Sequence, residues 1–464
     1  MRADTTSGSR TVLARTLHTT EYFTLAFGAM IGVGWLLVLD DWLTRGGPGG
    51  AMLGFLLGGL ALVPIGFVYG KFVREIPDAA SELAYATKVF PPLVGYLAAW
   101  LMTLAYLIVC PWEAVAIGKI MAYVFPPMQT GELYRVGGFP VYLPSLILGF
   151  AAIALVAFVN YRGIRLSARF LNLTTFGLLF LFGLFTVLGF THYTASNLHP
   201  FFGRTDSTWS GSAISVILVL QIVPYFLTGF ESVPKCSEEA HEEFNPFGFV
   251  KAIFLALAVG TTFYVVIIWV VSGLVPWRSL VSERFATAVA FERAFGSPLL
   301  VRAIILAAVL SLLKIFNANF LTASRLIFAL GRRGMIPARM GVIHPRFQSP
   351  TSAVLFCGAV TVCLSLFGES ILIPVTEVGS LCSALGWLVT CLAFVRWRRN
   401  QPASTSRRND MVIAGLGAAV ALALLLLKIT PYVPGSFRRW EYVSLMVWLA
   451  LGFLLRRKTT PAAG

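Results

Sequence analysis

The chain has 464 residues, of which 57% are hydrophobic and 12% are charged, and its formal net charge is +15. Soluble domains carry roughly 25% charged residues, so this composition excludes an ordinary soluble protein and predicts an integral membrane protein. Most of the 36 Lys and Arg residues fall on one side of the predicted membrane spans. This positive-inside pattern explains the charge without a nucleic-acid partner and predicts that both termini are cytoplasmic, in a multi-pass protein of the plasma (inner) membrane.

Windows of about 20 apolar residues, bounded by charges, prolines and polar clusters, indicate transmembrane helices. Twelve such spans are predicted, at approximately 22–43, 50–72, 93–124, 141–160, 168–190, 213–234, 250–273, 298–330, 351–368, 373–395, 411–428 and 440–455.

Span 1 is interrupted near its centre by the sequence GAMIGVGW, residues 28–35. Its glycines are Gly28, Gly32 and Gly34. Glycine costs about 1 kcal/mol per helical site relative to alanine, so the motif weakens the helix at mid-membrane. We expect the helix to stop here and to expose unpaired backbone N–H and C=O groups.

Span 2 carries Gly50, Gly54 and Gly58 at four-residue spacing. Small residues at this spacing let another helix approach closely, so we interpret this face as a packing surface.

Charged residues in the middle of a span cost at least about 2.5 kcal/mol, so each needs a partner or a function. Three stand out: Glu113 in span 3, Glu231 in span 6 and Lys314 in span 8. Glu113 is interpreted as a proton carrier, a contact for a cationic substrate group, or the ion-pair partner of Lys314. Glu231 lies beside a helix interruption and is a candidate for gating or proton coupling.

That second interruption is VPYFLTGFESVPKCSEE, residues 223–239, where Pro224, Gly229 and Pro234 break span 6. Interrupted helices at corresponding positions of two halves indicate a midplane binding site in an inverted-repeat transporter. The alternative is a pair of kinks whose backbone groups are satisfied by neighbouring helices.

In their order and spacing, these segments resemble the amino acid/polyamine/organocation (APC) transporter superfamily, in particular its amino acid permeases. The resemblance covers about residues 20–455. It is carried by GAMIGVGW, by GFE (229–231) with SEEAHEEFNP (237–246), and by NFLTASRLIFALGRRGMIPARMGVIHPRFQSPTSA (319–353). It implies an all-α membrane fold of twelve helices, with a 5+5 inverted repeat, broken helices 1 and 6, and two extra C-terminal helices. It also implies transport of amino acids or related amines by alternating access.

The same resemblance divides the chain. The expected segments are a cytoplasmic tail (1–21), a ten-helix transport core (22–395, with repeats 22–190 and 213–395), a cytoplasmic linker (396–410), helices 11 and 12 (411–455) and a cytoplasmic C-terminal tail (456–464).

The resemblance further implies which residues bind the substrate. Backbone amides at the N-terminus of a half-helix hold its carboxylate, since they offer free N–H groups and partial positive charge. Carbonyl groups of the interruptions accept from its ammonium group. The expected substrate contacts are Ala29, Met30, Gly32, Val33, Gly34, Trp35, Tyr225 and Leu227. Tyr225 matches an aromatic gate over the site, and Glu231 matches the family's span 6 carboxylate.

Two residues depart from the family pattern. Val33 stands where many members have a small hydroxylated residue, so a side-chain hydrogen bond is lost while the backbone donor stays. Trp35 stands where an aliphatic residue is usual, and it either narrows the pocket or packs against a neighbouring span.

Lys314 falls about where span 8 approaches span 1, the place at which sodium-coupled transporters of this fold hold a sodium ion. An ammonium group there is expected to replace the ion, either permanently or as a proton that comes and goes. The alternative is a structural ion pair with Glu113. The resemblance thus implies a sodium-independent carrier, proton-coupled or exchanging, with Lys314, Glu231 and Glu113 as coupling candidates.

No Ser/His/Asp arrangement, HExxH motif or phosphate-cradling loop occurs, so we expect no enzyme, no cofactor and no metal site. A channel would need a continuous polar or charged ring. The alternatives that stay open are an amine, polyamine or other organic cation transporter of the same fold, and a sensor that binds without transporting. An amine would leave the span 1 amides unpaired, which favours amino acids. The expected partners are a small-molecule substrate, the lipid bilayer and protons.

Overall fold

The computed structural model describes residues 13–204, 209–283, 285–431, 433 and 436–457. Within these residues, nine helices are long and apolar enough to cross a membrane, and shorter apolar helices lie at Gly211–Leu220 and Thr351–Ser365. The chain is therefore an all-α membrane protein that crosses the bilayer several times.

The described residues in the first half of the chain form nine α-helices. They are α1 (Thr19–Met30), α2 (Gly34–Leu37), α3 (Leu39–Glu75), α4 (Glu82–Ala86), α5 (Pro92–Leu107), α6 (Val109–Val124), α7 (Leu143–Tyr161), α8 (Ile164–Thr191) and α9 (Trp209–Leu220). The second half contains α10 (Val223–Leu227), α11 (Ser232–Lys235), α12 (Phe247–Leu274), α13 (Ala286–Phe295), α14 (Pro298–Arg332), α15 (Thr351–Ser365), α16 (Leu372–Arg399), α17 (Thr405–Ile429) and α18 (Arg439–Leu455).

A small antiparallel hairpin joins α6 to α7, formed by β1 (Glu132–Val136) and β2 (Phe139–Tyr142). Short 3-10 helices occupy Pro126–Gln129, Ala195–Leu198, Ser237–Glu239, Trp277–Ser279, Ala338–Gly341 and Gly368–Ile371.

Each predicted span overlaps at least one of these helices, but several boundaries differ. Span 1 was expected to reach residue 43, whereas α2 ends at Leu37 and α3 begins at Leu39. Gly47 within α3 has φ +63°, a backbone conformation that favours glycine, and it kinks the helix. The number of spans and the inverted repeat stay predictions.

The connection at 396–410 is shorter than expected, because α16 continues to Arg399 and α17 begins at Thr405. Arg398 donates to Asp410 at 2.5 Å, so the basic residues continue the helices and pair with an acid. Ser404 caps α17 by accepting from the Arg407 backbone N–H.

The glycine face of span 2 lies against α9 and α10, as its spacing predicted. A Cβ atom added to Gly50 would lie 3.0 Å from Ser215 Cβ, and one added to Gly54 would lie 2.8 Å from Val219 Cβ. Gly58 faces Val223 in the same way. These close approaches fix α3 beside the interrupted span 6.

Gly54→Ala is therefore expected to lower the stability of the purified protein by about 1–3 kcal/mol, the usual cost of overpacking a tight contact. Thermal unfolding in detergent measures this. Gly415→Ala is the matched control, because Gly415 lies in α17 with open space where a Cβ would stand. Alanine there improves helix propensity, so its melting temperature should not fall. Equal melting temperatures for both variants would contradict the packing assignment.

Candidate substrate-binding site

The chain leaves the helical conformation in the middle of span 1. α1 ends at Met30, Ile31 is extended with φ −97° and ψ 103°, and α2 begins at Gly34 with Val33 as its N-cap. Among the described residues, no hydrogen bond takes up the backbone N–H groups of Val33 and Gly34. The interruption therefore presents free donors at the N-terminus of a short helical turn.

Span 6 has an equivalent interruption. α10 ends at Leu227, Thr228 is extended, and α11 begins after Glu231. Gly229 between them has φ +144°, and a Cβ atom on it would lie 2.8 Å from Met30 N. Only glycine combines this backbone conformation with such a close approach, so Gly229 brings the two interruptions into contact.

A cavity of about 20 Å³ lies between the two interruptions, enough for one or two water molecules. An amino acid does not fit this volume, so the site is closed in this conformation and must widen to admit one. The lining residues are Ala29, Met30, Gly32, Val33, Gly34, Ala105, Val109, Trp112, Glu113, Tyr225, Phe226, Thr228, Ile315, Asn319, Gly379 and Ser383.

Most of the residues expected to contact substrate do line this cavity. They are Ala29, Met30, Gly32, Val33, Gly34 and Tyr225, together with the coupling candidate Glu113. Four others do not line it, namely Trp35, Leu227, Glu231 and Lys314.

Trp35 packs against a neighbouring helix and does not narrow the pocket. Its ring meets Phe263 of α12 edge-on, with centroids 6.3 Å apart, and only 2% of the residue is exposed. Its backbone carbonyl accepts from the Thr287 hydroxyl of α13 at 2.5 Å. In this conformation the turn of α2 directs Trp35 toward α12 and α13 and away from the cavity, and its role as a substrate contact stays a prediction.

The carbonyl groups expected to receive an ammonium already have protein donors. The Ala29 carbonyl accepts from Asn319 Nδ2 at 3.2 Å, and the Met30 carbonyl accepts from the Tyr264 hydroxyl at 3.2 Å. Each keeps a second lone pair for a ligand. Leu227 is fully buried outside the cavity, so its assignment as a substrate contact does not match this conformation.

Lys314 lies behind the interruption, on α14. Its Nζ donates to the Ile31 carbonyl at 2.5 Å, and Ser311 Oγ donates to the Gly32 carbonyl at 2.8 Å. The ammonium also lies 4.8 Å from the centre of the Phe27 ring. A helix C-terminus presents unpaired carbonyl groups and partial negative charge, and the Lys314 amino group donates to one of these carbonyl groups.

The alternative ion pair between Lys314 and Glu113 is not formed. No N–O distance of 4.0 Å or less joins them in the described part of the chain, because the Lys314 amino group donates to the carbonyl of Ile31, the residue that follows α1. Glu113 is instead buried at the cavity wall, where Oε1 would lie 3.0 Å from a Cβ on Gly32. Its Oε2 has no hydrogen-bond partner among the described residues.

Glu231 lies just beyond the interruption of span 6. Its Oε2 accepts from the Gly229 backbone N–H at 3.0 Å, and its Oε1 is buried without a partner among the described residues. Glu231 therefore holds the interruption in shape from outside the cavity.

Several lining residues had not been assigned to the site from the sequence. Thr228 Oγ1 donates to Ser383 Oγ of α16 at 3.0 Å, which links the span 6 interruption to span 10. Thr228 lies within the span 6 interruption, so its position in the sequence could have indicated that it belongs to the site. Asn319 was recognisable only as one of many polar residues in spans, and Ser383 had no distinguishing pattern.

Comparison with known proteins agrees with this architecture. Residues 17–455 match the family model described as amino acid permease. The chain is 26% identical to the methylthioribose transporter of Bacillus subtilis (strain 168), over 96% of this chain and 93% of that protein. It is 23% identical to the amino-acid permease RocE of the same strain, over 86% and 84% of the two chains. It is also 23% identical to the aromatic amino acid transport protein AroP of Escherichia coli (strain K12), over 97% of each.

The family match covers almost all of the chain, and these relatives are transporters and not enzymes. The chain therefore belongs to the amino acid permease family of the APC superfamily of membrane transporters.

Proposed function

We propose that this protein is a secondary active transporter that moves amino acids across the plasma membrane by alternating access. The observation that supports this most directly is that Val33 and Gly34 line a buried cavity at a helix N-terminus, and that their backbone N–H groups have no hydrogen-bond partner among the described residues. Backbone donors at a helix N-terminus bind a carboxylate in the middle of the membrane without the help of a cationic side chain. Relatives named as amino acid transporters are consistent with this substrate class.

The ammonium group of the substrate is proposed to bind on the other side of the cavity. The Ala29 and Met30 carbonyl oxygens lie at the C-terminal end of α1, where partial negative charge favours a cation. Glu113 lines the same cavity and supplies a carboxylate. The carboxylate of an amino acid would thus bind at the start of α2, and its ammonium group would bind at the end of α1.

Tyr225 is proposed as the gate. Its ring would lie 3.3 Å from a Cβ on Gly379 of α16, so it closes the gap between spans 6 and 10. Rotation of this ring away from Gly379 would widen the small cavity to the size of a substrate.

The proposed transport is independent of sodium and either proton-coupled or exchanging. Lys314 supports the first part, because its ammonium already binds the Ile31 carbonyl beside Ser311. Glu113 and Glu231 are the proposed proton carriers, since both are buried at or beside the cavity and each has one oxygen without a hydrogen-bond partner among the described residues.

The test is uptake into liposomes containing the purified protein, with an amino acid chosen by thermal shift. A ligand that binds the native state raises its melting temperature. We expect saturable uptake and counterflow, both unchanged when sodium is replaced by choline. Binding without flux would identify a sensor, and a strict sodium requirement would contradict the role of Lys314.

A second candidate is transport of an amine, polyamine or other organic cation. The observation that favours it is the buried Glu113 Oε2, which has no hydrogen-bond partner in the part of the chain that the structure describes. Amino acids and the matching decarboxylated amines distinguish the two. If the Val33 and Gly34 donors bind a carboxylate, removing that carboxylate from the ligand should abolish the thermal shift. Methylthioribose belongs in the same screen, because one relative is named for it.

A further inference from the structure

A second cluster of ionisable groups lies beyond Glu231, outside the cavity. Lys235 of α11 donates to Glu82 Oε1 of α4 at 2.5 Å and to the Glu231 backbone carbonyl at 2.7 Å. The side chains of Glu82 and Lys235 are fully buried, and so is Glu231. Lys235 directly follows predicted span 6, which was expected to end at residue 234.

The groups that face this cluster from neighbouring helices are uncharged. Tyr69 of α3 donates to Glu82 Oε1 at 2.7 Å and lies 3.2 Å from Thr390 Oγ1 of α16. Tyr85 of α4 and Tyr106 of α5 are also buried beside it. The charged groups nearby are paired with each other: Arg325 contacts Glu239 at 2.7 Å, and Asp78 contacts Arg333 at 2.5 Å.

The cluster therefore contains two carboxylates and one ammonium. With both carboxylates ionised, one negative charge would be buried without compensation, at a cost of several kcal/mol. Two carboxylates that share one site reduce this cost when one of them holds a proton. The hydrogen bonds of the carboxylate oxygens are consistent with such a proton, since Glu82 Oε2 and Glu231 Oε1 are buried without hydrogen-bond partners among the described residues.

The hydrogen bonds indicate which carboxylate holds the proton. Glu82 receives both the Lys235 ammonium and the Tyr69 hydroxyl, which stabilise its ionised form. Among the described residues, the Glu231 carboxyl group accepts from the Gly229 backbone N–H and interacts with the neutral Tyr106 hydroxyl, so it has no cationic donor. A proton on its Oε1 makes the cluster neutral.

We propose that Glu82, Glu231 and Lys235 form one proton-binding site whose proton is released when the carrier opens on the face that holds its N-terminal segment. α4 and α11 lie at that face, because the Ala79 backbone N–H donates to Glu238 Oε1 at 3.0 Å and Leu17 pairs with Ala240. Opening there separates α4 from α11 and admits water, which solvates both carboxylates. The Glu231 carboxylic acid then gives its proton to water and becomes a carboxylate. This inference rests on the proposed alternating access.

The test is infrared difference spectroscopy of the full-length protein in liposomes at neutral pH, which detects protonated carboxylic acids directly. We expect the wild type to show a band from one protonated carboxyl group, and the Glu231→Gln variant to lack this band. The same band should be lost in Glu82→Gln, because Lys235 then balances Glu231. It should return in the double variant Glu82→Gln with Lys235→Gln, where Glu231 is again a lone buried carboxylate. Glu113→Gln is the control and should leave this band in place.

The double variant is also expected to fold, because it replaces both members of the buried ion pair by neutral side chains and leaves no unpaired charge. A band that persists in Glu82→Gln, or a wild type without it, would overturn the proposal. Uptake measured against internal pH is the second readout. Its pH dependence should weaken in Glu82→Gln, where Glu113 is the proposed proton carrier that stays unchanged. Absence of all flux in the wild type would count against the transporter, whereas flux with an unaltered band in Glu82→Gln would count against this site alone.

Discussion

Lys314→Met is expected to reduce amino acid uptake by roughly 10- to 100-fold while the protein stays folded. Methionine keeps the length and the apolar character of the lysine stem but donates no hydrogen bond. A hydrogen bond from a charged group contributes about 1.5–3 kcal/mol, and each 1.4 kcal/mol corresponds to a factor of ten. Among the described donors, the Ile31 carbonyl would keep Ser311 Oγ at 3.2 Å, so the interruption would lose its shortest hydrogen bond to α14.

Lys119→Met is the matched control for this prediction. Lys119 also lies in a membrane helix and pairs with Glu369 at 3.2 Å, but both side chains are partly exposed and lie outside the cavity of the interruptions. Partly exposed ion pairs contribute at most about 1 kcal/mol, so uptake should change little. Equal uptake by Lys314→Met and the wild type, in liposomes with equal amounts of folded protein, would contradict the role assigned to Lys314.

The positions of both interruptions could be predicted from the sequence because they depend on local backbone chemistry. Glycines at 28, 32 and 34 weaken a helix wherever it packs, and Gly229 allows a positive φ that other residues rarely adopt. The glycine face of α3 was equally readable, since four-residue spacing places its members on one side of a helix.

The contacts across the interruptions could not be predicted in the same way. Whether Lys314 reaches Glu113 or the Ile31 carbonyl depends on the rotation of α14 against α1, which apolar spacing does not define. The direction of Trp35 depends on one helical turn between two irregular segments. Such directions are set by tertiary packing, and a single sequence carries little information about them.

Lys235 is the clearest example of a contact that could not be predicted from the sequence. A lysine four residues after a membrane-span glutamate, in a segment rich in acidic residues, is typical of a solvated helix end. Its partner Glu82 is 153 residues away and stands on a short helix within a connection. The burial of this pair arises from the way α4 folds back between α3 and α5, and no local pattern indicates it. The helix α13, inside the connection expected at 274–297, was missed for a similar reason.

Gly32→Ala is expected to abolish measurable uptake and the thermal shift caused by the substrate. A Cβ atom at this position would lie 2.8 Å from Ile315 Cδ1 and 3.0 Å from Glu113 Oε1, two residues that line the same small cavity. The added methyl group would therefore occupy the space between the free N–H groups and the carboxylate. Gly34→Ala should act similarly, because its Cβ would lie 2.6 Å from Phe226 Cε1.

Gly28→Ala is the control within the same motif. Its Cβ would meet the nearest atoms, on Leu171, Ala318 and Lys314, at 3.4–3.5 Å, which is ordinary van der Waals contact. Gly28 lies inside α1, where alanine improves helix propensity by about 1 kcal/mol, so uptake should persist and stability should not fall. Loss of uptake in all three variants would mean that the motif needs glycine for flexibility along its whole length. Loss only at positions 32 and 34 would mean that these two glycines keep the space in which the substrate binds.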